Sequence, residues 1–266
     1  MQTFFIDTFT GINCKGNPTV VCFIESPVEN DHCLQLAKQC NVPVTAFVDI
    51  VSNGSDLFSI RYFTTTKQIP ACGHATLAAA KVLFDLYNKN ELRFITVEDV
   101  MIVAIKKNKV LLLKYPVHLL ESVEVSTQLL ESLQLKKIAT AGFCHELETL
   151  FIELDNASEL RNVQPNFQQL IKSSDVIKEV VVTSVSDDEQ FDYLLRSFCP
   201  WIGIDEDPVT GSVHSVLAGY WAKRLNKTKL KAYQASAEAG EIIIEAGDDF
   251  VWIGGSATSV PTEPVE

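Results

Sequence analysis

The chain has 266 residues, of which 47% are hydrophobic and 21% charged, enough for a substantial core in one large domain or two small ones. Its net charge of −12 leaves no basic surface for neutralising phosphates and argues against nucleic-acid binding. No apolar run reaches the ~18 residues of a membrane helix, and the first ten residues lack a basic n-region and a long apolar core, so neither a membrane span nor a signal peptide is expected.

Thr3–Phe9 and Thr19–Glu25 are rich in β-branched and aromatic residues and predict strands, with Gly11, Gly16 and Pro18 marking a loop between them. Asp31–Cys40 repeats apolar positions at helical spacing, with Asn30 and Asp31 as candidate N-caps. Thr45–Ile50 and Leu57–Thr64 return to strand character on either side of a Ser-Asn-Gly-Ser turn at 52–55. A helix follows, apolar at 75, 77, 78, 79, 80, 82, 83 and 84. Phe94–Val100 and Lys109–Pro116 predict more strands, with a hairpin turn at Lys106–Lys109 and a domain boundary at Pro116. Beyond it, Gln128–Leu135 and Phe167–Ser174 read as short helices, and Leu150–Asp155 and Glu179–Val185 as strands. Phe191–Trp201 leads into a second helical motif over Gly203–Leu225. Lys231–Ser236, Gly240–Gly247 and Asp248–Thr258 close the chain as strands, and the tail from Pro261 is expected at the surface. The seven cysteines, at 14, 22, 33, 40, 72, 144 and 199, show no zinc-ligand spacing and fit a reduced, cytoplasmic compartment.

Two stretches echo each other. Arg61-Tyr62-Phe63, a loop, Gly73 and an apolar helix match Arg196-Ser197-Phe198, a loop, Gly211 and an apolar helix. The two glycines lie 138 residues apart, too far for a solenoid repeat and suited to a duplicated domain. Strands mostly follow strands, which argues against a doubly wound parallel sheet. A helix apolar on nearly every side must be enclosed, leaving only its amino end open. There Gly73, His74 and Ala75 present unpaired N–H groups and the positive end of the helix dipole. Pro208, Thr210, Gly211 and Ser212 make the same offer before Val213–Trp221. Two such starts facing each other across a cleft would hold a carboxylate; two ordinary buried helix starts with glycine turns are the alternative.

Asp7–Phe23, Ile60–Phe84 and Cys199–Trp221, in this order and spanning essentially the whole chain, resemble the signatures of the phenazine-biosynthesis PhzF-like family. That family shares its fold with diaminopimelate epimerase and proline racemase. The resemblance implies an α+β fold of two similar domains, each a mostly antiparallel sheet wrapped around a central helix. Residues 1–115 would form one and 116–253 the other, with a last strand at about 254–266 returning to the first. It implies an active site between the domains and a cofactor-independent isomerase moving a proton on a small carboxylic acid, with no metal and no organic cofactor. It also implies a homodimer, of which the residues give no independent sign.

The epimerase relatives use a pair of cysteines, one at each helix start. Cys72 matches the first position, but Thr210 stands at the second and its hydroxyl has no accessible pKa for acid/base work. PhzF-like members resemble isomerases that instead use a glutamate, helped by the histidine of Gly73-His74-Ala75-Thr76 and the aspartate of Glu206-Asp207-Pro208. Here the glutamate position is Val44, in Pro43-Val44-Thr45-Ala46-Phe47. Gln68 stands where the family often carries an acid, and Glu238 replaces an arginine in Gln234–Gly240.

His74 and Asp207 are therefore the expected catalytic pair. His74 has a free pKa near 6.5 and is held neutral by the helix end. Asp207 orients substrate or His74, or caps a helix beginning near Val209. Asn17, Thr45, Gly73, Ala75, Thr76, Gly211 and Ser212 are the expected binding residues. Cys72 comes last among the catalytic candidates, since a small buried packing role suits a thiol without a partner. The alternative function is a catalytically weakened family member that binds a metabolite or a protein partner, favoured by Val44.

Overall fold

The computed structural model describes residues 1–24, 28–50 and 56–261. The expected turn at 52–55 and the tail beyond Pro261 lie outside the described residues. The chain divides into two compact units, Met1–Tyr115 with Trp252–Glu266, and Pro116–Val251.

In the first unit, β1 (Gln2–Thr10) pairs antiparallel with β2 (Asn17–Ile24), and α1 (Asn30–Cys40) leads to β3 (Val44–Ile50), parallel to β2. β4 (Leu57–Phe63) runs antiparallel to β3, and β5 (Gln68–Ile69) folds back on its end. α2 (Gly73–Leu86) then carries the chain to β6 (Glu91–Ile95), parallel to β4. β7 (Met101–Lys107) and β8 (Val110–Pro116) follow as an antiparallel meander.

The second unit repeats this plan. It contains β9 (Glu121–Ser122), α3 (Thr127–Ser132), β10 (Thr140–Cys144), β11 (Thr149–Glu153), α4 (Ala157–Arg161), α5 (Phe167–Leu170), β12 (Glu179–Val185), β13 (Tyr193–Phe198), α6 (His214–Leu225), β14 (Lys229–Gln234) and β15 (Gly240–Ala246). β11 and β12 are parallel, β12 and β13 antiparallel, and α6 connects β13 to the parallel β14. That is the same order of pairings as β2, β3, β4, α2 and β6. The last strand, β16 (Phe250–Ser259), lies beside β8 and pairs with β1, so the first unit's sheet closes into a ring.

The ring answers the sequence of α2. Nine of its fourteen residues are buried, including every apolar position from Ala75 to Phe84. Its alanines let β1, β2 and β3 approach closely. Alternation sorts the strands around it. Val20, Cys22, Phe47 and Phe63 point outward to Cys33 and Ala37 of α1. The intervening residues, Asn17, Thr19, Val44, Ala46 and Tyr62, share the inward face with α2. In the second unit, Val180, Val182, Leu194 and Phe198 pack under α3, α4 and α5. On the opposite face, Trp221 of α6 stacks on Tyr193 at 5.4 Å and donates to Thr183 at 3.1 Å.

Three boundaries differ from the sequence reading. α1 starts at Asn30 with Glu29 as its N-cap; the Asn30 amide bonds Gln68, and its carbonyl oxygen accepts from Arg61. β6 stops at Ile95 because the Thr96 hydroxyl accepts from the N–H groups of Glu98 and Val100, closing a turn with Asp99 at φ 59°. α6 begins at His214 rather than near Val209, so Asp207 does not cap it. No helix among the described residues is long and apolar enough to cross a membrane.

Gly16 sits at φ +70°, and a Cβ there would overlap the Thr8 carbonyl oxygen. Gly16→Ala must both strain the backbone and push β1 away, so urea unfolding is expected to show a loss of roughly 2–4 kcal/mol.

Candidate functional site

In the first unit the site is built at the amino end of α2. Tyr62 on β4 meets Thr76 in the helix's first turn, and Phe58 at the other end of β4 meets Tyr87, just past the helix's last residue. The helix therefore runs antiparallel to β4. Thr45 is paired with Phe63, and Thr19 with Val44, so the starts of β2 and β3 lie at the level of the helix start. This brings Asn17 and Val44 to the end of the ring where Cys72, Gly73 and His74 emerge.

Gly73, His74 and Ala75 donate no backbone hydrogen bond among the described residues; the first N–H turned back into the helix is that of Thr76, to the Cys72 carbonyl at 3.0 Å. These three N–H groups are the available anion donors. Tyr115 on β8 supplies a residue that the motifs do not announce. Its hydroxyl lies so close to Gly73 that a Cβ would overlap it, which gives the glycine a steric reason. Burial and the neighbouring Cys72 both push the Tyr115 phenol up, so it stays protonated and able to donate.

His74 is pushed down to about 4 by loss of solvation. The Cys72 thiol stands 3.5 Å from both of its ring nitrogens. A neutral imidazole does not stabilise a thiolate, so this contact lacks the charge that activates a catalytic cysteine.

Two expected binding residues are placed elsewhere. The Thr76 hydroxyl donates to the Cys72 carbonyl at 2.7 Å and accepts from Tyr62 at 2.6 Å, and the residue is fully buried. It holds the helix start together rather than facing a ligand. Thr45 belongs to the outward face with Phe47 and lies beside Cys40 of α1, because the one-residue step from Val44 reverses its direction.

In the second unit the corresponding segment is a braced turn. Asp207 Oδ2 accepts from the Thr210 hydroxyl at 2.6 Å, and the Asp207 N–H donates to the Ser197 carbonyl at 3.0 Å. Burial raises the Asp207 carboxyl, against the lowering effect of the Thr210 bond. Gln234 clamps the turn by accepting from the Thr210 N–H at 2.8 Å and donating to the Asp207 carbonyl at 2.7 Å. Ser236 donates to the Pro208 carbonyl at 2.6 Å. The Thr210 N–H is thus consumed, while Gly211 and Ser212 donate no backbone bond among the described residues. Glu206 is held by a two-point ion pair with Arg196.

A half-buried acid that no motif announced sits beside this turn. Glu179 accepts from the hydroxyls of Ser197 and of Thr149, the latter at 3.1 Å. Burial, and secondarily Asp207, raise its carboxyl to about 7. Among the described residues, no three His, Cys, Asp or Glu side chains converge as metal ligands.

The family model for phenazine biosynthesis-like proteins matches residues 6–262. The chain belongs to the phenazine biosynthesis-like family. An uncharacterized isomerase from Halalkalibacterium halodurans is 32% identical over 261 residues, covering 97% of this chain and 95% of the relative. The crystal structure of a PhzF-family protein from Enterococcus faecalis superposes with a TM-score of 0.88 at 32% identity, covering 97% of this chain and 96% of that one. A probable proline racemase from Agrobacterium radiobacter shares the fold at 11% identity, with a TM-score of 0.58 over 99% of this chain and 92% of its own. The epimerase-type fold implied by the motifs is therefore established for this family member.

His74 stays neutral in the folded chain down to about pH 4 but charges near 6.5 when unfolded. Its contribution to stability is present above pH 6.5 and is lost as the pH falls toward 4. Melting curves of wild type and His74→Gln should diverge in that window, with wild type losing more, and the His74 ring resonances should titrate near 4 rather than 6.5.

Proposed function

We propose that this family member is a cofactor-independent isomerase that moves a proton on a small carboxylic acid. The observation that carries the reading is the open start of α2, where three undonated N–H groups stand beside a histidine held neutral by burial. Such a start takes a carboxylate without a cationic side chain. The bound anion in turn raises the basicity of His74, because a negative neighbour favours imidazolium. The histidine is thus a poor base in the free protein and a better one once substrate is present. Asp207, half-buried and braced by Thr210, supplies the second proton-handling group. Asn17 and Tyr115 orient the ligand near α2, and Gly211 and Ser212 offer backbone donors near α6. The relative named an isomerase supports the reaction class.

A second reading rests on Val44. It lies on the inward face near the start of α2, where an acid/base carboxyl would meet a ligand, yet it is an apolar side chain with 6% exposure. A chain that keeps the anion cradle but not this carboxyl binds a small acid without turning it over.

Incubation with small amino- and hydroxy-carboxylic acids in deuterated water separates the two. The isomerase reading expects deuterium at a substrate carbon, with the rate cut about 100-fold or more in both His74→Ala and Asp207→Ala. Saturable binding with no exchange for any acid supports the binding protein. A gain of exchange in Val44→Glu identifies the lost group.

A further inference from the structure

We infer that Glu179 is the second unit's counterpart of position 44, a positioning residue for Asp207 that holds the proton the two carboxyls share. The inference rests on the proposed isomerase for its purpose, but not for its geometry.

The repeated plan of the two units sets the equivalence. Val44 opens β3, pairs with Thr19 across the parallel β2, and precedes Thr45, which pairs with Phe63 of Arg61-Tyr62-Phe63. Glu179 opens β12, pairs with Thr149 across the parallel β11, and precedes Val180, which pairs with Phe198 of Arg196-Ser197-Phe198. Both residues point to the face that carries the central helix of their own unit: Val180 belongs to the outer cluster, and Thr45 shares the outward face of β3 with Phe47 of the other outer cluster. The duplicated fold therefore offers the same strand-start position twice. This chain has an apolar side chain at the first and a carboxyl at the second.

The surroundings of Glu179 suit a proton carrier. β11 contributes the Thr149 hydroxyl and β13 the Ser197 hydroxyl, both bonded to the carboxyl. The segment after β13 contributes Asp207 and the Cys199 thiol, whose ionisation is opposed by burial, Asp207 and Glu179. Among the described residues no cation is paired with the carboxyl: Arg196 alternates to the other face of β13 and is committed to Glu206. Ser197 ties the pair together, its hydroxyl on Glu179 and its carbonyl on the Asp207 N–H. Two half-buried carboxyls with no cation paired to them among the described residues oppose each other's ionisation, so one proton stays with the pair and leaves it in a coupled step.

The test is a pH titration of protein carrying glutamate labelled with 13C at the carboxyl carbon. One signal should titrate near neutrality and vanish in Glu179→Gln. In Asp207→Asn its midpoint should fall by about one pH unit, because a like charge has been removed. A Glu179 signal that titrates near 4.3 with ordinary glutamates overturns the inference, as does a midpoint unmoved by Asp207→Asn. If Glu179→Gln fails to fold, wild type and Asp207→Asn alone decide the question. None of these measurements needs a substrate, so the Glu179 titration is read equally well in a chain that exchanges no deuterium.

Discussion

A helix with apolar side chains all round its surface is stable only where something surrounds it, and the first unit is organised by that demand. The closed ring of β1, β2, β3, β4, β6, β7, β8 and β16 encloses α2 from Ala75 to Phe84 and leaves its two ends open, Gly73 and His74 at one and Asp85 and Leu86 at the other. The amino end gathers the unpaired backbone donors, the positive end of the dipole and His74 in one place. The grouping of these donors is thus a by-product of hydrophobic enclosure.

The same enclosure sets the protonation states. Loss of solvation pushes His74 down and Tyr115 up, so both are neutral hydrogen-bonding groups at neutral pH. In the second unit it pushes the carboxyls of Asp207 and Glu179 up. Glu179, raised to about 7, thus keeps its proton to a higher pH than an ordinary glutamate. Cys72 shows the other side of this logic. Its thiol has the address of a catalytic residue, but its neighbour is an imidazole kept uncharged, and no second thiol stands at Thr210.

Much of the architecture was legible from local chemistry. β1, β2, α2, β12 and β15 announce themselves through β-branched runs or unbroken apolar positions, and the echo around Arg61 and Arg196 signals duplication. The boundaries that differ are those where side chains compete with the backbone. Asn30 spends its amide on Gln68 and Arg61 rather than on a helix cap, and Thr96 diverts two N–H groups from a strand. β10, with its central glycine, carries too weak a β pattern to stand out; its pairing with β11 decides it.

By itself, the sequence determined the family and the two-helix plan, because motif spacing and apolar periodicity are written residue by residue. Only the tertiary structure decided which side chains face the helices. Thr45 and Val44 are neighbours in sequence, yet strand alternation sends one to α1 and the other toward α2. Tyr115 and Glu179 come from strands remote in sequence from the motifs they support, so no local pattern could assign them. Pairing across the sheets brings them there, and burial then sets the charge each one carries.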